Sequence, residues 1–143
     1  MSKRILVLNG PNLGRLGLRE PEIYGSTTLA QLEQELVEAG SRLGVSVVCF
    51  QSNHEGVLID RIESAVKEGF QGCILNAAGL THTSIALMDA IKASQIPTVE
   101  VHISQIYQRE SFRHHTLTGK ACVAVITGMG LQGYHYALDF LSR

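Results

Sequence analysis

The chain has no surplus of positive charge. Lys and Arg number 12 against 13 Asp and Glu, a formal net charge of -1 over 143 residues. Neutralising a phosphate backbone takes clustered basic residues in excess, so nucleic acid is not an expected partner. Long apolar runs are missing as well. Met1-Ser2-Lys3-Arg4 leads into an apolar segment of only Ile5 to Leu8, shorter than a signal-peptide core and far shorter than the ~20 residues that span a bilayer. The expectation is a cytoplasmic protein without membrane contact. Cysteine is sparse and forms no CxxC pair: Cys49, Cys73 and Cys122 each lie in or beside aliphatic or β-branched residues. That setting favours reduced core thiols over disulfides or a zinc site. The signatures HxH, HExxH and GxxxxGK[ST] do not occur.

What is present has a globular balance, with 45% hydrophobic and 17% charged residues. A chain of this length buries roughly 68–70% of its unfolded surface, so residues 1–143 read as one domain around one core. Arg4 to Asn9 (RILVLN), Val45 to Phe50 (VSVVCF), Gly72 to Asn76 (GCILN), the TVEVHI run after Pro97, and Ala121 to Thr127 read as strands. Their continuous apolar character belongs to strands covered on both faces. Between them lie helical segments. Thr28 and Gln31 make a capping box ahead of Leu29, Leu32, Leu36 and Leu43 on one face. Leu58, Ile62 and Val66 should line the inside of the next helix, and Ile85, Leu87, Met88 and Ile91 that of the third; Leu131 to Leu141 closes the chain. Five alternations of strand and helix call for a parallel sheet joined by right-handed crossovers. The expected fold is an α/β three-layer sandwich of flavodoxin-like type, its five-stranded parallel sheet in order 2-1-3-4-5 with helices on both faces.

In such a sheet the site lies outside the carboxyl ends of the strands. The segments leaving those ends are the polar parts of this chain: Asn9 to Tyr24, Gln51 to Glu55, Asn76 to Ser84 and His102 to His115. The first, NGPNLGRLGLREPEIYG, is long for a loop in a small domain, and loops of that length are functional or disordered. Leu13, Leu16, Leu18 and Ile23 anchor it, so it reads as ordered and chemical. Gly10, Gly14 and Gly17 are candidate hinges of a lid over about residues 10–25.

Several groups suggest chemistry. Glu100 and His102 stand two apart on one face of the fourth strand. The pair suits a metal less well than a carboxylate orienting an imidazole for proton transfer. Asn76 and Thr81-His82-Thr83-Ser84 sit at a helix N-terminus, which is ordinary capping or, with Arg113 and Ser104 entering the same crevice, a seat for an anionic group. His114 and His115 read as solvated. Tyr24 is either an anchoring aromatic or a base. As a base it must ionise near pH 7 rather than near its ordinary ~10, and one cation supplies roughly one to three units of that change. Arg19 alone is marginal; Arg19 with Arg113 suffices. Gly128-Met129-Gly130-Leu131-Gln132-Gly133 matches GxGxxG, but the chain ends before the acidic strand of a dinucleotide site. Packing glycines at a tight turn are the better account.

Taken in order, NGPNL, LREPEIYG, NHEG, N-x(5)-HTS, EVHIS and ESFRHH resemble the type II 3-dehydroquinate dehydratases over the whole chain. The resemblance implies a flavodoxin-like fold, a homododecamer of four trimers, no metal and no organic cofactor. It also implies anti elimination of water from 3-dehydroquinate through an enolate to give 3-dehydroshikimate, in aromatic biosynthesis or quinate breakdown. By motif position, Tyr24 is the implied base, Arg19 its electrostatic support and Asn12 the holder of a water on the enolate oxygen. His102 is the implied acid, with Glu100 setting its ionisation. Asn76, His82, Ile103 through its backbone N–H, Ser104 and Arg113 are implied substrate contacts, and Asp89 a contact from a neighbouring subunit. Gly14-Arg15, Ala77, Leu80 and Gln105 depart from the usual pattern, the last two at the pocket floor and the Ser104 turn. Two other classes remain on the residues alone: a module binding a flavin or nucleotide phosphate at the strand ends, and a scaffold protein.

Overall fold

The computed structural model of the chain describes residues 2–143. Strands β1 (Arg4–Asn9), β2 (Ser46–Gln51), β3 (Gly72–Asn76), β4 (Thr98–His102) and β5 (Ala124–Thr127) form one parallel sheet in the order β2-β1-β3-β4-β5. Helices α1 (Pro21–Tyr24), α2 (Leu29–Arg42), α3 (Glu55–Lys67), α4 (Ile85–Ser94) and α5 (Gln132–Ser142) lie between and after them. The expected topology is therefore observed. Its cause is the apolar run in each inner strand: every residue of β3 and β4 is buried.

Alternation along each strand divides the core in two. Ile5, Val7, Ile74, Val99 and Val101 point to α2 and α5. Leu6, Leu8, Cys73 and Leu75 point to α3 and α4. The same alternation sends Asn9 and Asn76 to the α2/α5 side and Glu100 with His102 to the α3/α4 side. Both faces of the sheet thus deliver polar groups to its carboxyl edge, where β1 and β3 end in register at Asn9 and Asn76.

Local signals hold where local chemistry decides. The Thr28 hydroxyl accepts from the Gln31 backbone N–H while the Gln31 side chain accepts from Thr28. Gly40 sits inside α2 because a Cβ there would meet the Val47 side chain, and Gly44, at φ +78°, ends the segment. The GxGxxG segment is a packing turn: Gly133 carries α5 so close to the sheet that a Cβ would lie 3.2 Å from Ile126 and 3.3 Å from Val101.

Some expectations are corrected. Leu43, Val66 and Ile85 are exposed, and Ala65 takes the inward position assigned to Val66. A hydrophobic residue at helical spacing can face a surface groove as readily as the core, and α3 and α4 leave such a groove between them. Strand β5 begins at Ala124 rather than Ala121, because Thr118–Ala121 form a 3-10 turn drawn inward by hydroxyl contacts to Glu100. Residues 9–25 are less irregular than their composition suggests: Leu13–Arg15 form a 3-10 turn and Pro21–Tyr24 one helical turn.

Candidate active site

One crevice at the carboxyl edge is lined by Asn12, Arg19, Tyr24, Asn76, His82, His102, Ile103, Ser104, Arg109 and Arg113, among others. Of the residues singled out in the sequence, Glu100 lies beneath it and Asp89 lies outside it. Asp89 is on α4, in the groove that also holds Glu63 and Lys67.

The floor is rigid. Glu100 is fully buried, and a buried carboxylate is tolerated only when its lone pairs are used. His102 Nε2 meets Glu100 Oε2 at 2.8 Å, Thr116 Oγ1 donates to the same oxygen at 2.8 Å, and Thr118 Oγ1 donates to Oε1. Burial pushes the Glu100 carboxyl up, but the hydrogen bonds from His102, Thr118 and Thr116 outweigh it and hold the group below the ordinary carboxylate value. A carboxylate saturated in this way orients its neighbour rather than binding a cation.

On the other face of the sheet Tyr134 is fully buried. Its hydroxyl donates to Asn9 Oδ1 at 2.6 Å and accepts from Asn76 Nδ2 at 2.9 Å. Asn76 Oδ1 accepts the Ala78 N–H at 3.1 Å, so both ends of the amide are assigned by their partners and its orientation is fixed.

His82 is held from behind. Its Nδ1 lies 2.7 Å from the His115 carbonyl, which makes Nδ1 the protonated nitrogen, and His115 Nε2 reaches back to the His82 carbonyl at 3.3 Å. Burial lowers the His82 value most; the His115 carbonyl bond opposes this, while the nearby His102, Arg113 and His115 charges add to it. His82 therefore offers an unprotonated Nε2 as an acceptor. His114 and His115 are both exposed, as expected, and His114 Nε2 also bonds the Arg109 carbonyl at 2.8 Å.

The roof is the segment after β1. Its root is tied: Gly10 N–H donates to the Asn76 carbonyl at 2.8 Å, and a Cβ at Gly10 would lie 2.7 Å from the Ala77 carbonyl oxygen. Asn12, at φ +73°, donates its backbone N–H to Asn53 Oδ1 at 2.9 Å, and Gln51 Nε2 donates to both the Gly10 carbonyl and Asn53. Gly10 is thus a wedge. Of the three candidate hinge glycines only Gly17, at φ +89°, adopts a backbone that needs glycine.

Beyond Gly17 the contacts thin out. Leu18 is 76% exposed. Tyr24 packs one side of its ring on the α2/α5 core, its hydroxyl accepts Arg109 Nη1 at 2.7 Å, and the Arg19 and Arg109 guanidiniums lie 5.5 and 5.7 Å from its ring centroid. The second cation on Tyr24 is therefore Arg109, not Arg113, which pairs with Glu110 at 2.9 Å. Sequence reading missed Arg109, Thr116, Thr118, Tyr134 and Asn9. Arg109 lies four residues before Arg113 in the same polar segment and was the one legible signal among them.

The profile of the family described as Dehydroquinase class II matches residues 3–142. A 3-dehydroquinate dehydratase of Herminiimonas arsenicoxydans is 54% identical over 140 residues, 98% of this chain and 97% of that one. One from Bordetella avium is 52% identical over 143 residues, 100% and 99% of the two chains. The crystal structure of type II dehydroquinase from Propionibacterium acnes superposes with a TM-score of 0.95 at 45% identity, covering 99% of this chain and 97% of that one. That from Butyrivibrio crossotus gives 0.97 at 43% identity, covering 99% of each. Matched end to end in sequence and in fold, the chain belongs to the class II dehydroquinase family.

Proposed function

We propose that this chain is a hydro-lyase that eliminates water from 3-dehydroquinate to give 3-dehydroshikimate, with Tyr24 as base and His102 as acid. The observation that carries the reading is the pairing of the two across one crevice: a phenol oxygen under an arginine N–H on one side, an imidazole backed by a buried carboxylate on the other.

Tyr24 as phenolate takes the proton on the carbon next to the ketone, and the C–H electrons form an enolate. Arg109 donates to the Tyr24 oxygen and the Arg19 guanidinium lies beside the ring, so both place positive charge at the reacting phenol. A water held at Asn12 bonds the enolate oxygen, where negative charge develops and a donor lowers the barrier most. The enolate electrons then re-form the ketone as the C–O bond breaks, and His102 delivers its proton to the departing hydroxyl. Attack and departure from opposite faces give anti elimination. Asn76, His82, Ser104, Arg113 and the Ile103 N–H bind the substrate's hydroxyls and carboxylate. His82 does so as an acceptor through Nε2.

The same proposal includes a lid formed by the loop after β1, one catalytic domain over residues 1–143, a cytoplasmic setting and a homododecamer of four trimers. The assembly is supported by the apolar groove between α3 and α4, in which Val66 and Ala86 lie beside Asp89; there Asp89 contacts the neighbour's site. No helix among the described residues is long and apolar enough to cross a membrane. The direct test is the ultraviolet absorbance of the conjugated enone product on mixing with 3-dehydroquinate, with and without a chelator. Chelator-insensitive growth of absorbance is expected; a flat trace removes the reading.

A further inference from the structure

We propose that Thr116 and Thr118 are positioning residues of this reaction: their hydroxyl protons hold Glu100 as a carboxylate, keep the His102 Nε2 proton facing it, and leave Nδ1 to serve the substrate. The inference rests on the activity proposed above and concerns two residues that do not line the crevice.

The hydrogen-bond directions carry it. Gly119 N–H donates to Thr116 Oγ1 at 2.8 Å, which uses that oxygen as an acceptor and frees its proton for Glu100 Oε2 at 2.8 Å. Thr118, fully buried, gives its proton to Oε1. With both carboxylate oxygens receiving hydroxyl protons, the third approach, from His102 Nε2 at 2.8 Å, is satisfied only by an N–H donor. A carboxylic acid at Glu100 would instead give its proton to His102 Nε2 and send the ring's own proton to Nδ1, and the two hydroxyl donors weigh against that arrangement by stabilising the carboxylate. His102 Nδ1 makes no hydrogen bond among the described residues, and the ring lines the crevice.

Among the described residues, the groups that hold Glu100 down are His102, Thr118 and Thr116, with no lysine or arginine beside them. On β4 its titratable neighbour is His102. Behind the threonines lies Cys122, whose Sγ is 3.3 Å from the Thr118 carbonyl, with Cys73 of β3 beyond it. On the crevice side His82 stacks on His102 at 6.4 Å between centroids, with Arg113 near His82. Two neutral hydroxyls therefore replace a counter-ion. They stabilise the carboxylate without competing for the imidazole proton, which a lysine or arginine at those positions would repel. The same contacts explain why residues 118–121 turn inward rather than extend β5.

Removing a donor makes Glu100 a stronger proton acceptor, so the proton shared with His102 moves toward the carboxyl and less imidazolium remains to act as acid. The test uses Thr118→Val, Thr118→Ser and Thr116→Val in the full chain. Two readouts are taken: the pH profile of kcat with 3-dehydroquinate, and the titration of the Glu100 δ-carbon by 13C NMR, assigned with Glu100→Gln. In Thr118→Val, kcat at neutral pH should fall roughly tenfold, the effect of one hydrogen bond to a charged group, with KM little changed. The Glu100 titration and the acid limb of kcat should both move to higher pH, and Thr118→Ser should restore both.

An unmoved Glu100 titration in a folded Thr118→Val, or a Thr118→Ser as impaired as Thr118→Val, overturns the inference. If Thr118→Val does not fold, the same two criteria apply to Thr116→Val. The NMR arm needs no substrate, so an inactive wild-type protein would count against the proposed activity while the titration still decides the role of the threonines.

Discussion

The floor and the roof of the crevice are built to opposite specifications. Glu100, His102 and Asn76 stand on inner strands, buried, each held by at least one bond of 2.8–2.9 Å to a side chain that is itself anchored. Arg19 and Tyr24 stand on a segment whose root is locked at Gly10 and Asn12 but whose tip is more exposed, Leu18 and Ile23 facing outward while Tyr24 reaches in to the core and Arg109. The proposed acid is thus part of the core, and the proposed base is delivered to it. This division suits an elimination. The acid must hold a defined proton throughout, whereas the base has to admit a substrate first.

The comparison can be broken from either side. The largest effect is expected at the floor: His102→Gln should lower kcat by roughly 10²–10⁴, the usual worth of a positioned acid, with a melting temperature near that of the parent. A collapse of stability instead would recast His102 as structural. Next is Arg109→Leu, which removes the N–H on Tyr24 and should cost more in kcat than Arg113→Leu, which should mainly raise KM. Steady-state kinetics of the two variants reads this directly, and equal effects would erase the distinction between Arg109 and Arg113.

Tyr134→Phe tests the rigidity of the floor through stability. It leaves Asn9 Oδ1 and Asn76 Nδ2 without the hydroxyl that pairs them and should cost about 1–3 kcal/mol in chemical denaturation; Asn9 Nδ2 already lacks a partner among the described residues. The smallest effect is on acid stability. His82 in the folded chain sits below its ordinary value of 6.5, so the unfolded chain binds the extra proton and stability declines as pH falls from about 6.5. Glu100 is held below 4.5, so its contribution is present above that value and is lost as pH falls through the folded one. Acid titration of the melting temperature should show both steps, and His82→Gln should remove the first only.

The fold was legible because it rests on patterns the sequence states locally: buried runs for strands, the Thr28 box, the glycine turns. The chemistry on β4 was legible for the same reason, since a two-residue spacing on a strand puts Glu100 and His102 on one face. What escaped were contacts made across the chain. Thr116 and Thr118 look like loop residues until the turn folds them onto Glu100, and Tyr134 looks like any helix aromatic until Gly133 lets α5 approach the sheet. Arg109 escapes because sequence distance cannot say which arginine of the segment reaches a tyrosine 85 positions away. Val66 escapes because periodicity records a face without recording what covers it.

The division of labour between roof and floor is tested most directly by hydrogen exchange. With 3-dehydroquinate in heavy water, the account predicts that His102→Gln still exchanges the hydrogen next to the ketone while forming almost no enone, because Tyr24 makes the enolate without needing the acid. Tyr24→Phe should do neither, although a carboxylic acid resembling the substrate still binds. Exchange or dehydration by Tyr24→Phe at a rate near that of the parent protein would contradict the account.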